Sequence, residues 1–230
     1  MSAETHGAAS PGAGAGAGQP TGSPNFKVEH HFDTADVQFD AGRMGVWLFL
    51  VTEILFFGGL FCAFAIFRSW YLDAFIEAHH HLDKKLGAIN TVVLIFSSLT
   101  MALAVRSAQK SEQRKTGVLL LVTFLCAAAF LVVKYFEYQH KFHAGLLPGK
   151  YFTAGGSPEQ NLFFAVYFMM TGVHGLHVII GMGLIAWIWL RNRKGQFSSR
   201  FYAPVEGVGL YWHLVDLVWI YLFPLLYLIG

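Results

Sequence analysis

Three carboxylates lie in or beside strongly apolar segments of this 230-residue chain. Glu53 and Asp216 lie deep within such segments, and Glu137 lies at the end of another. A carboxylate inside a membrane-spanning helix is costly and normally faces the bundle interior, where it finds a partner. Such a group can serve as a protonated, hydrogen-bonded strut, can take part in proton handling, or can ligate a metal ion; the residues alone leave these three roles open.

Histidines accompany the carboxylates at helical spacing. His174 and His177 are separated by one helical turn, as are His213 and Asp216, so each pair should share a helix face. An HxxH pair could ligate haem or zinc, although metal sites usually need more ligands and a carboxylate behind the histidine. Paired histidines in a dry bundle more often satisfy a buried carboxylate. We therefore expect Glu53 to hydrogen-bond a histidine of this pair, His177 before His174.

The depths of these groups follow from the helical rise. Glu53 lies about 15 Å along a helix from Arg43, which places it near mid-membrane, and Asp216 lies at a comparable depth. Glu137 closes its apolar segment and is expected at the outer interface. The spacing of Lys134 and Glu137 predicts a structural ion pair at this rim.

The composition favours a lipid environment. Hydrophobic residues make up 55% of the chain and charged residues only 13%, against about 25% in a soluble domain, and the mean hydropathy is +0.48. A net charge of +2 is too small to suggest a nucleic-acid partner. Cys62 and Cys126 both lie in apolar runs without a CxxC spacing, which indicates small core residues rather than a disulfide or a metal pair.

The fold predicted from these features is an all-α, polytopic membrane protein with five transmembrane helices. Crossing about 30 Å of hydrocarbon takes about 20 apolar helical residues. Five segments satisfy this length, namely 44–67, 86–105, 117–136, 162–190 and 208–229.

The direction of the helices follows from the basic residues. With the N-terminus inside, the inner loops hold more lysine and arginine than the outer loops, which predicts that the C-terminus lies outside. We expect the inner residues Arg43, Arg106, Arg191 and Arg193 to face lipid headgroups. The chain is thus predicted to be a multi-pass protein of the inner (plasma) membrane of a cell.

The first 42 residues differ from the rest. A string of Gly, Ala, Pro and Ser near the N-terminus cannot bury enough apolar surface to fold, so residues 1–42 are predicted to form a disordered cytoplasmic tail and lead-in before a membrane domain at 43–230. We expect the residues before Asn25 to be dispensable. A metal site in the lead-in is an alternative to a solvated segment, and its candidate ligands are Glu29, His30, His31, Asp33, Asp36 and Asp40.

The strings that carry the buried polar residues resemble subunit III of the haem–copper oxidases. The closest matches to that family's patterns are TGVHGLHVIIG and the last helix, YWHLVDLVWIYLFPLLYL. The first helix matches the family helix that carries a buried Glu, and Lys134 stands where the mitochondrial form has Gln. The matches occur in the family's order and lie at 43–64, 88–104, 130–138, 171–181 and 211–228.

This resemblance implies an accessory role without redox chemistry. In the family, subunit III holds no haem or copper; subunit I reduces O2, and electrons enter at subunit II. Subunit III packs on subunit I, holds phospholipid, and supports proton uptake and turnover stability. The mitochondrial form has seven helices, and this chain corresponds to the last five, so the lipid cleft made by the first two is expected to need subunit I for completion.

Three functions remain open at this point. The first is subunit III of a cytochrome c oxidase that reduces O2 and translocates protons in aerobic respiration. The second is the same fold in a quinol oxidase or a nitric oxide reductase. The third is a free-standing proton carrier built around Glu53 and Asp216, with no partner subunit.

Overall fold

A computed structural model describes residues 34–153, 157–197 and 202–228, and within them the chain is helical. A π-helical turn, Pro224–Leu228, continues the last helix, and a short 3-10 turn, Gly149–Tyr151, lies in one loop. The six α-helices are α1 (Ala35–Trp70), α2 (Leu72–His79), α3 (Lys84–Gln109), α4 (Gln113–His143), α5 (Pro158–Arg193) and α6 (Ala203–Phe223).

Five of these helices are long and apolar enough to cross a membrane, as the sequence predicts. They are α1, α3, α4, α5 and α6, the last extended by its π-helical turn. The short helix α2 was not predicted, because eight residues bearing an Asp and a Glu lack the length of a span. Helix α4 also continues to His143, seven residues beyond the predicted end of its span at residue 136.

Polar side chains fix where several helices begin. The Asp83 carboxylate accepts hydrogen bonds from two backbone N–H groups in the first turn of α3, and the Ser157 hydroxyl caps α5 in the same way, with Pro158 at its first position. Thr34 caps α1, which begins at Ala35 and therefore includes part of the segment that the sequence assigns to the lead-in. The rest of that segment, including the proposed metal ligands from Glu29 to Asp33, lies outside the described residues.

Helix α6 is the centre of the bundle. Half of its most apolar stretch is buried within the chain, compared with 17% for α1. Helix α6 packs against α3 and α5, while α1 packs mainly against α6 and α2. Glycine allows close approach of the helices: a Cβ atom at Gly181 on α5 would lie 2.9 Å from the indole of Trp212 on α6.

One of the two cysteines differs from its predicted placement. Both are free thiols. Cys126 is half-buried, but Cys62 is exposed on α1, because that helix turns only a narrow face towards the rest of the chain. The interpretation of Cys62 as a core residue is therefore wrong.

Candidate functional site

The first polar contact joins α1 to α5. The Glu53 Oε2 and His177 Nε2 atoms lie 2.9 Å apart, as the sequence predicts. The ring of Phe57, one turn further along α1, packs edge-on against the imidazole with centroids 5.0 Å apart. Both polar side chains are largely covered, with 17% of the Glu53 side chain and 14% of the His177 side chain exposed.

The hydrogen bonds of His177 determine how many protons this pair holds. The Nδ1–H group donates to the Val173 carbonyl oxygen at 2.8 Å, since a carbonyl can only accept. One further proton must therefore lie between Nε2 and Glu53, on either atom. Both arrangements leave the pair without net charge, which lowers the cost of placing it in a membrane.

His174 has a different environment from its neighbour one turn away. It is fully buried, with its ring against Phe130 on α4 and Trp219 on α6, at centroid distances of 5.7 and 5.3 Å. Neither ring nitrogen has a hydrogen-bond partner among the described residues. The spacing of the two histidines predicts a shared helix face, but their rings contact different helices: His177 faces α1, and His174 faces α4 and α6.

The largest polar cluster surrounds Glu137 on α4. Its carboxylate accepts hydrogen bonds from Lys134 at 2.7 Å and from Lys141 at 2.8 Å, both on the same helix. The hydroxyl groups of Tyr167 and Tyr227 donate to it at 2.9 and 2.6 Å from α5 and from the turn after α6. The ion pair was predicted, whereas its burial was not, and this burial arises because α4 continues beyond Glu137 and side chains from α5 and the turn after α6 cover it.

Aromatic rings compensate for the surplus positive charge of this cluster. Two ammonium groups contact one carboxylate. The Lys134 ammonium lies 4.4 Å from the centroid of the Trp219 ring, and the Lys141 ammonium lies 4.9 Å from that of Tyr167. Ring faces attract cations most strongly where water is excluded. The cluster is thus a cross-link between α4, α5 and α6.

The remaining predicted pair, His213 and Asp216, lies on α6 where this helix packs against α3. His213 Nδ1 lies 2.7 Å from the Ser98 hydroxyl of α3. Asp216 is buried, and its Oδ1 atom has no hydrogen-bond partner within the described residues. His213 and Asp216 share a helix, but the His213 imidazole hydrogen-bonds a side chain of α3. Nearby, the Trp212 indole donates to Ser97 at 3.1 Å and strengthens the same contact.

The four arginines that were expected to face lipid lie at one end of the bundle, which we call the basic end. Arg43 lies near the start of α1, Arg106 in the last turn of α3, and Arg191 and Arg193 in the last turn of α5. Three are exposed, while Arg191 is half-buried and donates from Nε to the Gln196 side chain at 2.6 Å.

Sequence reasoning found the carboxylates and histidines of these clusters together with Lys134, and it missed Lys141 and the tyrosine hydroxyl groups. Lys141 could have been found, since it lies one turn beyond Glu137. Tyr167 and Tyr227 carry no local signal, because their contacts depend on how α5 and α6 pack. In the described parts of the chain, no group of three or more His, Cys, Asp or Glu residues is arranged to hold a metal ion.

Comparison with known proteins identifies the family of this chain. The profile of the family described as cytochrome c oxidase subunit III matches residues 25–230. The chain is 32% identical to cytochrome c oxidase subunit 3 of Thermostichus vulcanus over 88% of this chain and 92% of that protein. It is 29% identical to cytochrome bo(3) ubiquinol oxidase subunit 3 of Pseudomonas putida, over 83% and 88% of the two chains.

A third relative combines two subunits in one chain. The haem–copper oxidase subunit I+III of Aeropyrum pernix is 30% identical over 83% of this chain, which corresponds to 23% of that longer protein. Together, the profile match over most of the chain and the matches along nearly the full length of the two single-subunit relatives identify the family. The chain belongs to the cytochrome c oxidase subunit III family and is a subunit III of a haem–copper oxidase.

Proposed function

We propose that this chain is the non-redox accessory subunit of an O2-reducing, proton-translocating cytochrome c oxidase in the inner (plasma) membrane of a cell. Its N-terminus lies inside and its C-terminus outside. Haem and copper belong to partner subunits, and this chain contributes no catalytic centre. The supporting observation is that Glu53 and Glu137 are both bound by side chains from other helices, which is the arrangement expected of struts.

Subunit I is the main proposed partner, and subunit II is the second. The relative from Aeropyrum pernix is named for both subunits I and III, which supports direct contact between them. Helix α1 is the least buried span and carries large exposed apolar side chains such as Trp47, Leu48 and Leu55. This surface suits a partner helix or lipid, since neither requires polar groups.

Phospholipid binding at the basic end is part of this proposal. Arginine and lysine near an anionic membrane surface each contribute about 1 kcal/mol of attraction. Lipid held there would support the seating of the subunit and proton uptake by its partner.

The role in turnover stability can be tested with a complex purified with and without this chain. The complex lacking the chain should begin O2 consumption at a similar rate, since the reaction occurs elsewhere, but should lose activity after fewer turnovers. If the complexes with and without the chain stay active for equal numbers of turnovers, the chain has no role in turnover stability. Complete loss of initial activity in an intact subunit I–II complex would place catalysis in the chain.

A quinol oxidase is the second candidate, and the relative from Pseudomonas putida supports it by name. A nitric oxide reductase with the same fold remains a further alternative. Oxidation of reduced cytochrome c and of ubiquinol by one purified complex separates the first two. Rapid oxidation of cytochrome c alone would support cytochrome c as the electron donor. Rapid oxidation of ubiquinol alone would identify ubiquinol as the donor instead.

A further inference from the structure

A crevice of about 380 Å³ lies at the basic end, between the start of α4 and the end of α5. Arg114 on α4 and Arg193 on α5 flank it, and Val118, Leu121 and Trp189 line the part that extends towards the middle of the bundle. It is separate from the polar contacts of Glu53 and Glu137, and none of those contacts uses its residues.

The walls of the crevice are held together by amide groups. The Asn192 side chain donates to the Gln113 carbonyl oxygen at 2.8 Å, which joins α5 to the first residue of α4. The Gln113 side chain donates to the Phe197 carbonyl oxygen at 3.4 Å, so the loop after α5 is tied to the same point. Asn192 and Phe197 are both buried. The crevice is therefore a formed feature and not a gap between loose helix ends.

The charge of the crevice favours an anion. Arg114 and Arg193 are exposed, and within the described part of the chain no carboxylate forms an ion pair with either. The Arg193 guanidinium lies over the Trp189 ring, 4.9 Å from its centroid, which orients it without neutralising it. Guanidinium groups bind phosphate through paired N–H donors.

The order of residues along the helices favours a lipid over a free phosphate. Arg114, Val118 and Leu121 follow one another on one face of α4, and Trp189 precedes Arg193 by one turn on α5. Charge thus lies at the end of the bundle, and exposed apolar side chains lie one and two turns further in. A phosphate ion would use only the charged end, whereas a phospholipid would use both parts.

We propose that this crevice binds one anionic phospholipid, with its phosphate between Arg114 and Arg193 and an acyl chain along Val118 and Leu121. Basic pockets between membrane helices are suited to such lipids. The inference rests on the proposed function, in which the chain works as an oxidase subunit in a bilayer with this end at the cytoplasmic face, and it adds a defined binding site to the general attraction of lipid by basic residues.

Native mass spectrometry of the purified oxidase complex tests the site. The complex is prepared with phosphatidylglycerol, and the double variant Arg114→Gln/Arg193→Gln is compared with Lys110→Gln/Lys194→Gln. The control pair removes the same charge at the same end but does not line the crevice. We expect the arginine variant to retain one fewer phosphatidylglycerol, with occupancy reduced at least tenfold, and the lysine variant to match the wild type.

Two further arms separate the possible ligands. Excess inorganic phosphate should not displace the bound lipid, and phosphatidylcholine should not replace it. A photoreactive side chain at Leu121 should crosslink to an acyl chain in the otherwise unchanged complex, so the site can be tested even if the arginine variant fails to assemble. Unchanged retention in the arginine variant, displacement by inorganic phosphate, or crosslinking to protein alone would overturn the proposal. Co-purification of haem tests the proposed function separately.

Discussion

Replacing Glu53 separates a structural role from a proton-handling role. Glu53→Gln keeps the size of the side chain and supplies an amide N–H group that can donate to His177 Nε2. Because the native pair carries no net charge, the variant has the same net charge as the native site. We therefore expect O2 consumption and proton release close to those of the native complex.

Glu53→Ala should have a larger effect on stability. It leaves His177 Nε2 without a partner in a largely covered position, at a cost of about 1–3 kcal/mol. Helix α1 packs mainly on α6 and α2, so the bond to His177 is its polar link to α5. The loss should appear as easier dissociation of the subunit from the complex in detergent.

The assay compares purified complexes that carry Glu53→Gln, Glu53→Ala or Thr52→Ala. Thr52 is a suitable control because its exposed hydroxyl donates only to the Phe49 carbonyl oxygen of its own helix at 2.7 Å. Subunit content is measured first, followed by O2 consumption and proton release. A collapse of turnover with Glu53→Gln in a fully assembled complex would show that Glu53 carries protons and would refute the strut interpretation.

Three other outcomes are expected. Glu137→Gln should destabilise the subunit by about 3–5 kcal/mol, since two buried ammonium groups lose their carboxylate, whereas Glu112→Gln at an exposed ion pair should have little effect in the same thermal unfolding assay. Gly181→Val should prevent close packing of α5 on α6 and reduce assembly, whereas Gly183→Val, where no atom lies within 4 Å of the added Cβ, should assemble normally in a pull-down. Deletion of residues 1–24 should leave assembly and turnover unchanged, and loss of the complex would show that the tail is required.

The spans and the ionisable pairs could be predicted because their signals are local. Apolar length identifies a membrane helix, and a buried carboxylate requires a partner wherever it lies. The pairing of Glu53 with His177 followed from helical rise and depth. The pair of Lys134 and Glu137 followed from spacing on one helix.

The contacts that the sequence did not predict depend on how each helix is rotated about its own axis. Residues one turn apart point about 60° from each other, which is enough to direct His177 to α1 and His174 to α4 and α6. Tyr227, whose hydroxyl group donates to Glu137, lies in the π-helical turn that follows α6, and the sequence did not predict this turn. The exposure of Cys62 likewise depends on how narrow the packed face of α1 is. Composition does not determine these angles.

Purification through a tag on this chain is the most direct test of its place in an oxidase. Gentle extraction should yield a complex that contains subunit I in a one-to-one ratio, shows the absorption of haem and consumes O2. A chain that elutes alone, without haem, and that moves protons when reconstituted into liposomes would contradict the account and support a free-standing carrier.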